Sequence, residues 1–174
     1  MAINWLSSTR KSILKNVYNH RKVYRGLDEL FWQLKVKADI VFLGDSLTYY
    51  GDFASVFPNK VVCNLGLRGD TLEGMKKRLE QIQIVNPDVV YLMAGINDVA
   101  SCTLEEFHVR YETLICEIHR IIPESKMVLQ SLLSVNHIEF EISCNNEQVF
   151  ECNKQIKALA SRHSLHYKTY ILSF

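Results

Sequence analysis

The sequence predicts an α/β fold, in which a parallel sheet is covered by helices. Short apolar runs alternate along the chain with segments whose apolar residues recur at helical spacing. Strands that are apolar throughout need cover on both faces, and right-handed helical crossovers between parallel strands supply it. The five predicted strands are residues 38–43, 60–65, 88–94, 126–133 and 165–172.

Helix start signals lie between those strands. Asp70 and Glu73 have the spacing of a capping box, and apolar residues follow them at helical intervals. Thr103 and Glu106 repeat this spacing ahead of a longer amphipathic segment. A further helix is predicted over residues 146–163.

Length and composition favour one ordinary globular domain. The chain has 174 residues, of which 48% are hydrophobic and 22% charged, and this composition excludes collagen-like and disordered classes. We therefore expect residues 1–174 to form a single domain. No run of about 18 apolar residues occurs, and the N-terminal basic residues follow a short apolar stretch instead of preceding it. We expect no membrane span and a cytoplasmic protein.

Charge is unevenly distributed along the chain. The formal net charge of +1 gives no reason to expect a nucleic-acid partner. Residues 1–36 are nevertheless basic, and we expect them to form a helical arm that packs on the domain. The stripe that would face the domain consists of Leu27, Leu30, Phe31 and Leu34. The alternative is that this arm contacts phosphate or a membrane surface.

The metal-ligating residue types give weak signals. The five cysteines form an odd set without a Cys-x-x-Cys pair, which argues against a disulfide framework and a zinc ribbon. His163 and His166 have the spacing of a metal-binding pair, but no second pair of ligands lies nearby in the sequence. The sequence therefore predicts no metal site.

Polar clusters follow the first three predicted strands. They are residues 44–48, 64–71 and 95–98. Because the carboxyl ends of parallel strands gather at one edge of a sheet, we expect these three loops to lie together. This edge is where the sequence places a functional site.

The residue types in these loops suit the chemistry of acyl transfer. Ser46 stands on a strand-to-helix turn, which exposes its hydroxyl where backbone N–H groups favour negative charge. Gly69 lets a backbone N–H approach a substrate without a side chain in the way, and Asn97 offers an amide donor. We predict that Ser46, Gly69 and Asn97 are catalytic residues, and that Ser46 N–H, Gly69 N–H and the Asn97 amide form an oxyanion hole.

These three clusters resemble the first three blocks of the SGNH, or GDSL-type, family of serine ester hydrolases. Residues 130–133 and Asn153 extend the resemblance along most of the chain after about residue 38. The resemblance implies a flavodoxin-like three-layer αβα sandwich with sheet order 2-1-3-4-5. It also implies hydrolysis of small, acetyl-like acyl esters, a small-molecule ester as partner, and no cofactor. The residue pattern of the second and third clusters is similar to that of the platelet-activating-factor acetylhydrolase branch of this family.

One departure from the family is clear. The family's last block supplies an Asp three residues before a His, and no Asp in this sequence is followed by a His at that spacing. We therefore expect activity to be impaired or absent in this chain, because a serine without a general base is a poor nucleophile. If the final helix of the family pattern is missing, one flank of the sheet should expose apolar side chains, and a homodimer through that flank is an alternative.

Two histidines are candidates to replace the base. His137 follows the predicted fourth strand at the correct edge, with Glu139 two residues on. His108 stands three residues after Glu105 in the first turn of a predicted helix. Neither is favoured, since loop histidines and helical neighbours of this kind are commonplace.

Three further charged residues near these loops are assigned candidate roles. Asp45 is a candidate substrate-binding residue, and the alternative is that it fixes the turn that carries Ser46. Asp70 is expected to cap a helix. Arg68 could meet an anionic group of a substrate, although a solvated arginine is the more common case.

Two other function classes stay open. A non-catalytic SGNH-fold protein could keep the pocket for binding or use its surface for assembly. A phosphate or nucleotide binder of similar fold is less favoured, because no glycine-rich phosphate loop follows any predicted strand.

Overall fold

The computed structural model describes residues 37–136 and 144–170. The predicted basic arm of residues 1–36 lies outside the described residues, as do His137 and Glu139. Its packing on the domain, and the single-domain organisation of residues 1–174, stay predictions.

A five-stranded parallel sheet forms the centre of the molecule. The strands are β1 (Ile40–Gly44), β2 (Val62–Gly66), β3 (Val89–Met93), β4 (Lys126–Gln130) and β5 (His166–Lys168). Their order is β2-β1-β3-β4-β5, and every neighbouring pair is parallel. The α/β fold class and the sheet order are thereby confirmed.

All five strands are shorter than the sequence predicts, and for the last two, β4 and β5, side chains explain why. After Gln130, the chain leaves the regular ladder because Asn153 binds both backbone polar groups of Leu132, at 2.8 Å and 3.0 Å. Beyond β5, the backbone N–H of Tyr170 donates to the hydroxyl of Ser131 at 2.8 Å instead of to a strand carbonyl. Side-chain amide and hydroxyl groups therefore take over from sheet pairing at this end.

Six helices accompany the strands in the described residues. They are α1 (Ser46–Tyr50), α2 (Phe53–Val56), α3 (Leu72–Lys76), α4 (Glu80–Val85), α5 (Leu104–Ile121) and α6 (Asn146–Arg162). The capping box at the start of α5 is confirmed, because Thr103 and Glu106 exchange side-chain to backbone hydrogen bonds. The helix predicted after Asp70 is divided into α3 and α4.

The capping box predicted at Asp70 and Glu73 is wrong. The residue that caps α3 is Thr71, whose hydroxyl accepts from the backbone N–H of Gly74 at 3.1 Å. Asp70 instead forms an ion pair with Arg78. An ion pair with a charged partner outweighs the weaker capping interaction available to the same carboxylate.

The two faces of the sheet are covered unequally. Side chains alternate along β1, so Val41 and Leu43 enter the large core, which also contains the buried residues of α3 to α6. Ile40 and Phe42 face the other side, where α2 covers them. The ring of Phe42 stacks on Phe53 with centroids 3.7 Å apart.

A groove of about 490 Å³ continues along this second face. Its walls include Phe42, Tyr91, Val128 and Tyr167. The exposed apolar flank that the sequence predicts, and its use in a homodimer, stay predictions. None of the helices in the described part of the chain has the length and apolar character needed to cross a lipid bilayer.

Candidate active site

The first polar loop is built around a buried aspartate. Asp45 is the N-cap of α1, and its Oδ1 accepts a hydrogen bond from the backbone N–H of Leu47 at 2.9 Å. This bond fixes the turn between β1 and α1, so that Ser46 begins the helix and stays partly exposed. The turn-fixing interpretation of Asp45 accounts for this contact, and substrate binding by Asp45 stays a prediction.

The second carboxylate oxygen of Asp45 is in an unusual position. Asp45 is fully buried, and its Oδ2 has no hydrogen-bond partner among the residues described. Burial, with a smaller contribution from the carboxylates of Asp70 and Asp98, raises the pKa of Asp45 to about 6, although the hydrogen bond from Leu47 N–H acts in the opposite direction. The carboxyl group directly before Ser46 therefore titrates close to neutral pH.

Arg78 ties the first loop to the second. Its guanidinium holds the Asp70 carboxylate through Nε at 2.7 Å, and Nη2 also donates to the carbonyl oxygen of Gly44 at 3.3 Å. Leu67 strengthens the same junction, because its backbone N–H donates to the Gly44 carbonyl at 3.0 Å. Both side chains of the ion pair are largely buried, which makes the pair a structural link.

Asn64 secures the other side of the second loop. Its Nδ2 donates to the carbonyl oxygens of Thr48 at 2.8 Å and Gly51 at 3.0 Å, and its Oδ1 accepts from Gly66 N–H at 2.9 Å. One side chain thus joins the end of β2 to the end of α1. The helix that begins with Ser46 is held at both ends.

The third loop is bound directly to the second. The side-chain amide of Asn97 donates to the carbonyl oxygen of Asp70 at 2.8 Å. Asp98 is buried, and its Oδ2 accepts from the backbone N–H of Leu72 at 3.0 Å. Burial raises the pKa of Asp98, because the protein interior penalises its charged form.

Two glycines in these loops have backbone conformations that other residues rarely adopt. Gly69 has φ +71° and faces open space, since a Cβ added there would meet no atom within 4 Å. Gly95 has φ +111°, and an added Cβ would lie 2.6 Å from the ring of Phe107. The first glycine is accessible, whereas the second lets the third loop pack closely on α5.

The predicted catalytic residues therefore lie on loops that are hydrogen-bonded to one another. Asn97 binds the carbonyl of Asp70, which is the neighbour of Gly69. Gly44, two residues before Ser46, binds Arg78 and so connects to Asp70. Gly69 and Asn97 are both exposed. That these groups converge on one substrate oxygen stays a prediction.

The described histidines lie elsewhere. His108 Nδ1 is 2.8 Å from Gln155 Oε1, and His108 Nε2 is 3.7 Å from the carboxylate of Glu112. His163 Nε2 is 2.8 Å from the same carboxylate. These residues lie between α5 and α6, and the carboxylate nearest His108 is Glu112, not Glu105. Within residues 37–136 and 144–170, no histidine hydrogen-bonds to Ser46.

Arg78 is the residue that sequence reasoning missed. It stands eight positions after Asp70 with no recognisable local motif. One feature of the sequence could have indicated this pair. An arginine in an amphipathic segment that follows a carboxylate at the end of a strand is a candidate ion-pair partner for that carboxylate. The described residues also contain no group of three or more His, Cys, Asp or Glu side chains that could hold a metal ion.

Comparison with solved structures gives the same fold. A Streptococcus pneumonia protein provisionally assigned as a platelet activating factor is 23% identical with a TM-score of 0.67, covering 94% of this chain and 80% of that one. A GDSL-like lipase from Bacteroides thetaiotaomicron is 19% identical with a TM-score of 0.65, covering 88% and 78%. The lipase/acylhydrolase from Enterococcus faecalis is 25% identical with a TM-score of 0.61, covering 74% and 73%.

Comparison of the sequence with curated proteins and with protein-family models shows the family to which the chain belongs. No match is found among curated proteins. A family model does match, and it spans residues 42–169, from within β1 to just past β5. This range contains all three polar loops and the complete order of strands and helices described above. The chain belongs to the GDSL-like lipase/acylhydrolase family and is, as a member of it, a hydrolase of esters.

Proposed function

We propose that this chain acts on small, acetyl-like acyl esters with Ser46 as the nucleophile. The observation that carries the proposal is the hydrogen bond from Asn97 to the carbonyl of Asp70, beside Gly69. It ties an amide donor to the segment with the exposed, left-handed glycine. An accessible serine, an accessible backbone N–H and an oriented amide are the parts that acyl transfer requires.

In the proposed reaction, the hydroxyl oxygen of Ser46 attacks the carbonyl carbon of the ester. The carbonyl oxygen then becomes an oxyanion that accepts from Ser46 N–H, Gly69 N–H and the amide of Asn97. Asn97 can serve because its amide nitrogen carries two hydrogens, and the bond to Asp70 uses one. The alcohol departs, and water releases the acyl group from Ser46 in a second attack.

Proton transfer limits this chemistry. The Ser46 hydroxyl must pass its proton to a base as it attacks, and that proton then goes to the oxygen of the departing alcohol. The sequence lacks an Asp three residues before a His, so water from the solvent has to carry the proton in this chain. Loss of one member of a serine triad lowers kcat by about 10⁴-fold to 10⁶-fold in the well-studied serine proteases. We infer that this chain alone hydrolyses esters slowly, at a rate set mainly by binding and by the oxyanion donors.

The test measures hydrolysis of 4-nitrophenyl acetate by the wild type and by Ser46→Ala, with and without added imidazole as an external base. Ser55→Ala is the matched control, because Ser55 is exposed on α2 and its hydroxyl binds only the carbonyl of Asp52 in the structure. We expect imidazole to raise the rate of the wild type and of Ser55→Ala above the protein-free reaction. Ser46→Ala should stay at the protein-free rate.

Equal rates for the wild type and Ser46→Ala under both conditions would overturn the proposal. That result would favour a non-catalytic binding or assembly protein of the same fold. Covalent labelling by a fluorophosphonate, followed by mass spectrometry, checks the site independently. The label should appear on Ser46 and increase with imidazole.

A further inference from the structure

An arginine that forms no ion pair within residues 37–136 and 144–170 stands beside the proposed oxyanion glycine. Arg68 directly precedes Gly69 and is exposed. Its guanidinium carbon lies 5.9 Å from the centroid of the Tyr50 ring. Tyr50 belongs to α1, the helix that begins with Ser46, so the arginine reaches from the second loop to the first.

Arg68 and Arg110 form no ion pair with the residues described, whereas the three other described arginines do. Arg78, Arg120 and Arg162 each hold a carboxylate at 3.1 Å or less. Arg68 has no carboxylate partner among the residues that the structure describes. Its positive charge is therefore available to another anion, while the aromatic face of Tyr50 restrains the direction of the side chain.

The surface next to Arg68 combines exposed apolar side chains with open space. Leu47 and Tyr50 are exposed on one side of α1, three positions apart, and Leu67 is exposed next to Arg68. Open space lies in front of Gly69. An ester positioned at Gly69 would thus have apolar side chains and one unneutralised guanidinium around it.

We propose that Arg68, held over Tyr50, binds an anionic group on the ester substrate, so that the preferred substrates carry a carboxylate or a phosphate. The proposal rests on the proposed function for its choice of an ester. A planar guanidinium binds either anion through two parallel N–H groups. The anion can belong to the alcohol part or to the acyl part of the ester, and the experiment separates the two.

The experiment compares kcat/KM for esters that differ in charge. For the alcohol part, 4-acetoxybenzoate is compared with phenyl acetate, because both carry the same acetyl group. For the acyl part, the mono-4-nitrophenyl ester of adipic acid is compared with 4-nitrophenyl hexanoate. The informative quantity is the ratio of the charged to the neutral substrate, measured in the presence of imidazole.

We expect Arg68→Gln to lower one of these two ratios by about threefold to tenfold, as for an anion paired with a solvent-accessible guanidinium. Arg68→Lys should keep part of the preference, since lysine retains the charge without the planar fork. Tyr50→Leu should lower the ratio less than Arg68→Gln does, because it removes only the aromatic ring that orients the guanidinium and keeps the charge. Raising the salt concentration should reduce the wild-type ratio toward that of Arg68→Gln.

Lys154→Gln is the matched control. Lys154 also lies over an exposed aromatic ring, with Nζ 4.5 Å from the centroid of Phe150, and its loss changes the net charge by the same amount. It lies on α6 and not on any of the three loops. Both ratios should stay at the wild-type value in this variant. An equal fall in Lys154→Gln and Arg68→Gln would overturn the proposal, because it would reflect net charge alone.

A binding measurement separates this proposal from the proposed function. In the Ser46→Ala background, NMR titration with 4-acetoxybenzoate and with the adipate monoester should show weaker binding of one of them when Arg68→Gln is added. If binding depends on Arg68 but the wild type hydrolyses none of the esters, the anion site is supported and the proposed esterase activity is contradicted. If the wild type hydrolyses the esters but Arg68→Gln leaves both kcat/KM ratios unchanged, the anion site is contradicted and the proposed esterase activity is still supported.

Discussion

Two regions of this molecule each contain residue types that also occur in serine hydrolase triads, and they differ in which type is absent among the residues described. The edge of the sheet carries Ser46 with exposed donors at Gly69 and Asn97, and no described histidine binds there. The surface between α5 and α6 carries two histidines that share the carboxylate of Glu112, and no serine of the described segments hydrogen-bonds to either ring. Residue types alone therefore do not make a catalytic site.

The two regions also differ in burial and so in energetics. At the sheet edge, three carboxylates and one guanidinium are largely or fully buried, so each charge depends strongly on its partner. Between α5 and α6, Glu112 and the two histidines are about a quarter exposed, so water screens their interactions. Substitutions should have large effects in the first region and small ones in the second.

The largest effect should come from Arg78→Met. It leaves the Asp70 carboxylate buried without its partner, and breaking a buried pair in this way costs about 3–5 kcal/mol of the free energy of unfolding. The control is Arg120→Met, which breaks the exposed pair with Glu117 and should cost less than about 1 kcal/mol. Urea unfolding followed by circular dichroism measures both. Similar losses in the two variants would refute the distinction drawn from burial.

Gly95→Ala should destabilise the protein by about 2–4 kcal/mol. The added methyl group must push the Phe107 ring away, and alanine must also adopt a positive φ. Gly69→Ala shares the positive φ but adds a methyl group to open space, so we expect a loss of about 1 kcal/mol. Thermal unfolding of the two variants separates crowding from conformational strain. Equal shifts in Tm would show that crowding against Phe107 is unimportant.

Asp45→Asn should change how stability depends on pH. The raised pKa of Asp45 means that the folded state binds a proton more tightly than the unfolded state, so its contribution to stability falls as pH rises from about 4 to about 6. The difference between 3.8 and about 6 corresponds to about 3 kcal/mol above pH 6. Asparagine carries no charge and can still accept from Leu47 N–H. The variant should therefore gain up to this amount at pH 7 and match the wild type near pH 4, in urea titrations across that range.

The smallest effect should come from Glu112→Gln. His163 and Arg162 lower the pKa of Glu112, so its stabilising contribution is present above the unfolded-state pKa and is lost as pH falls through the folded-state value. We expect a slight destabilisation at neutral pH that disappears in acid. Hydrolysis that depends on Ser46 should not change. A large loss of that activity would mean that the cluster between α5 and α6 takes part in catalysis after all.

Local patterns predicted the parts of this fold that depend on local physics. The capping box at Thr103 and the strand that leads to Ser46 follow from neighbouring residues, and both were found as expected. Asp70 shows where such reasoning ends, because its carboxylate binds an arginine eight positions away instead of capping α3. Gln155 is another example, since it reaches His108 only after α5 and α6 have packed together, whereas Glu112 lies one helical turn from His108 within α5.

β1 has a position in the sheet that bears on how the protein moves. It is hydrogen-bonded to β2 on one side and to β3 on the other along all five of its residues, and all five are buried. Amide hydrogens of such a strand exchange with deuterated solvent only through the rarest openings of the molecule. The strand that presents the serine is therefore a fixed anchor, and any adjustment to an arriving ester belongs to the loops around it.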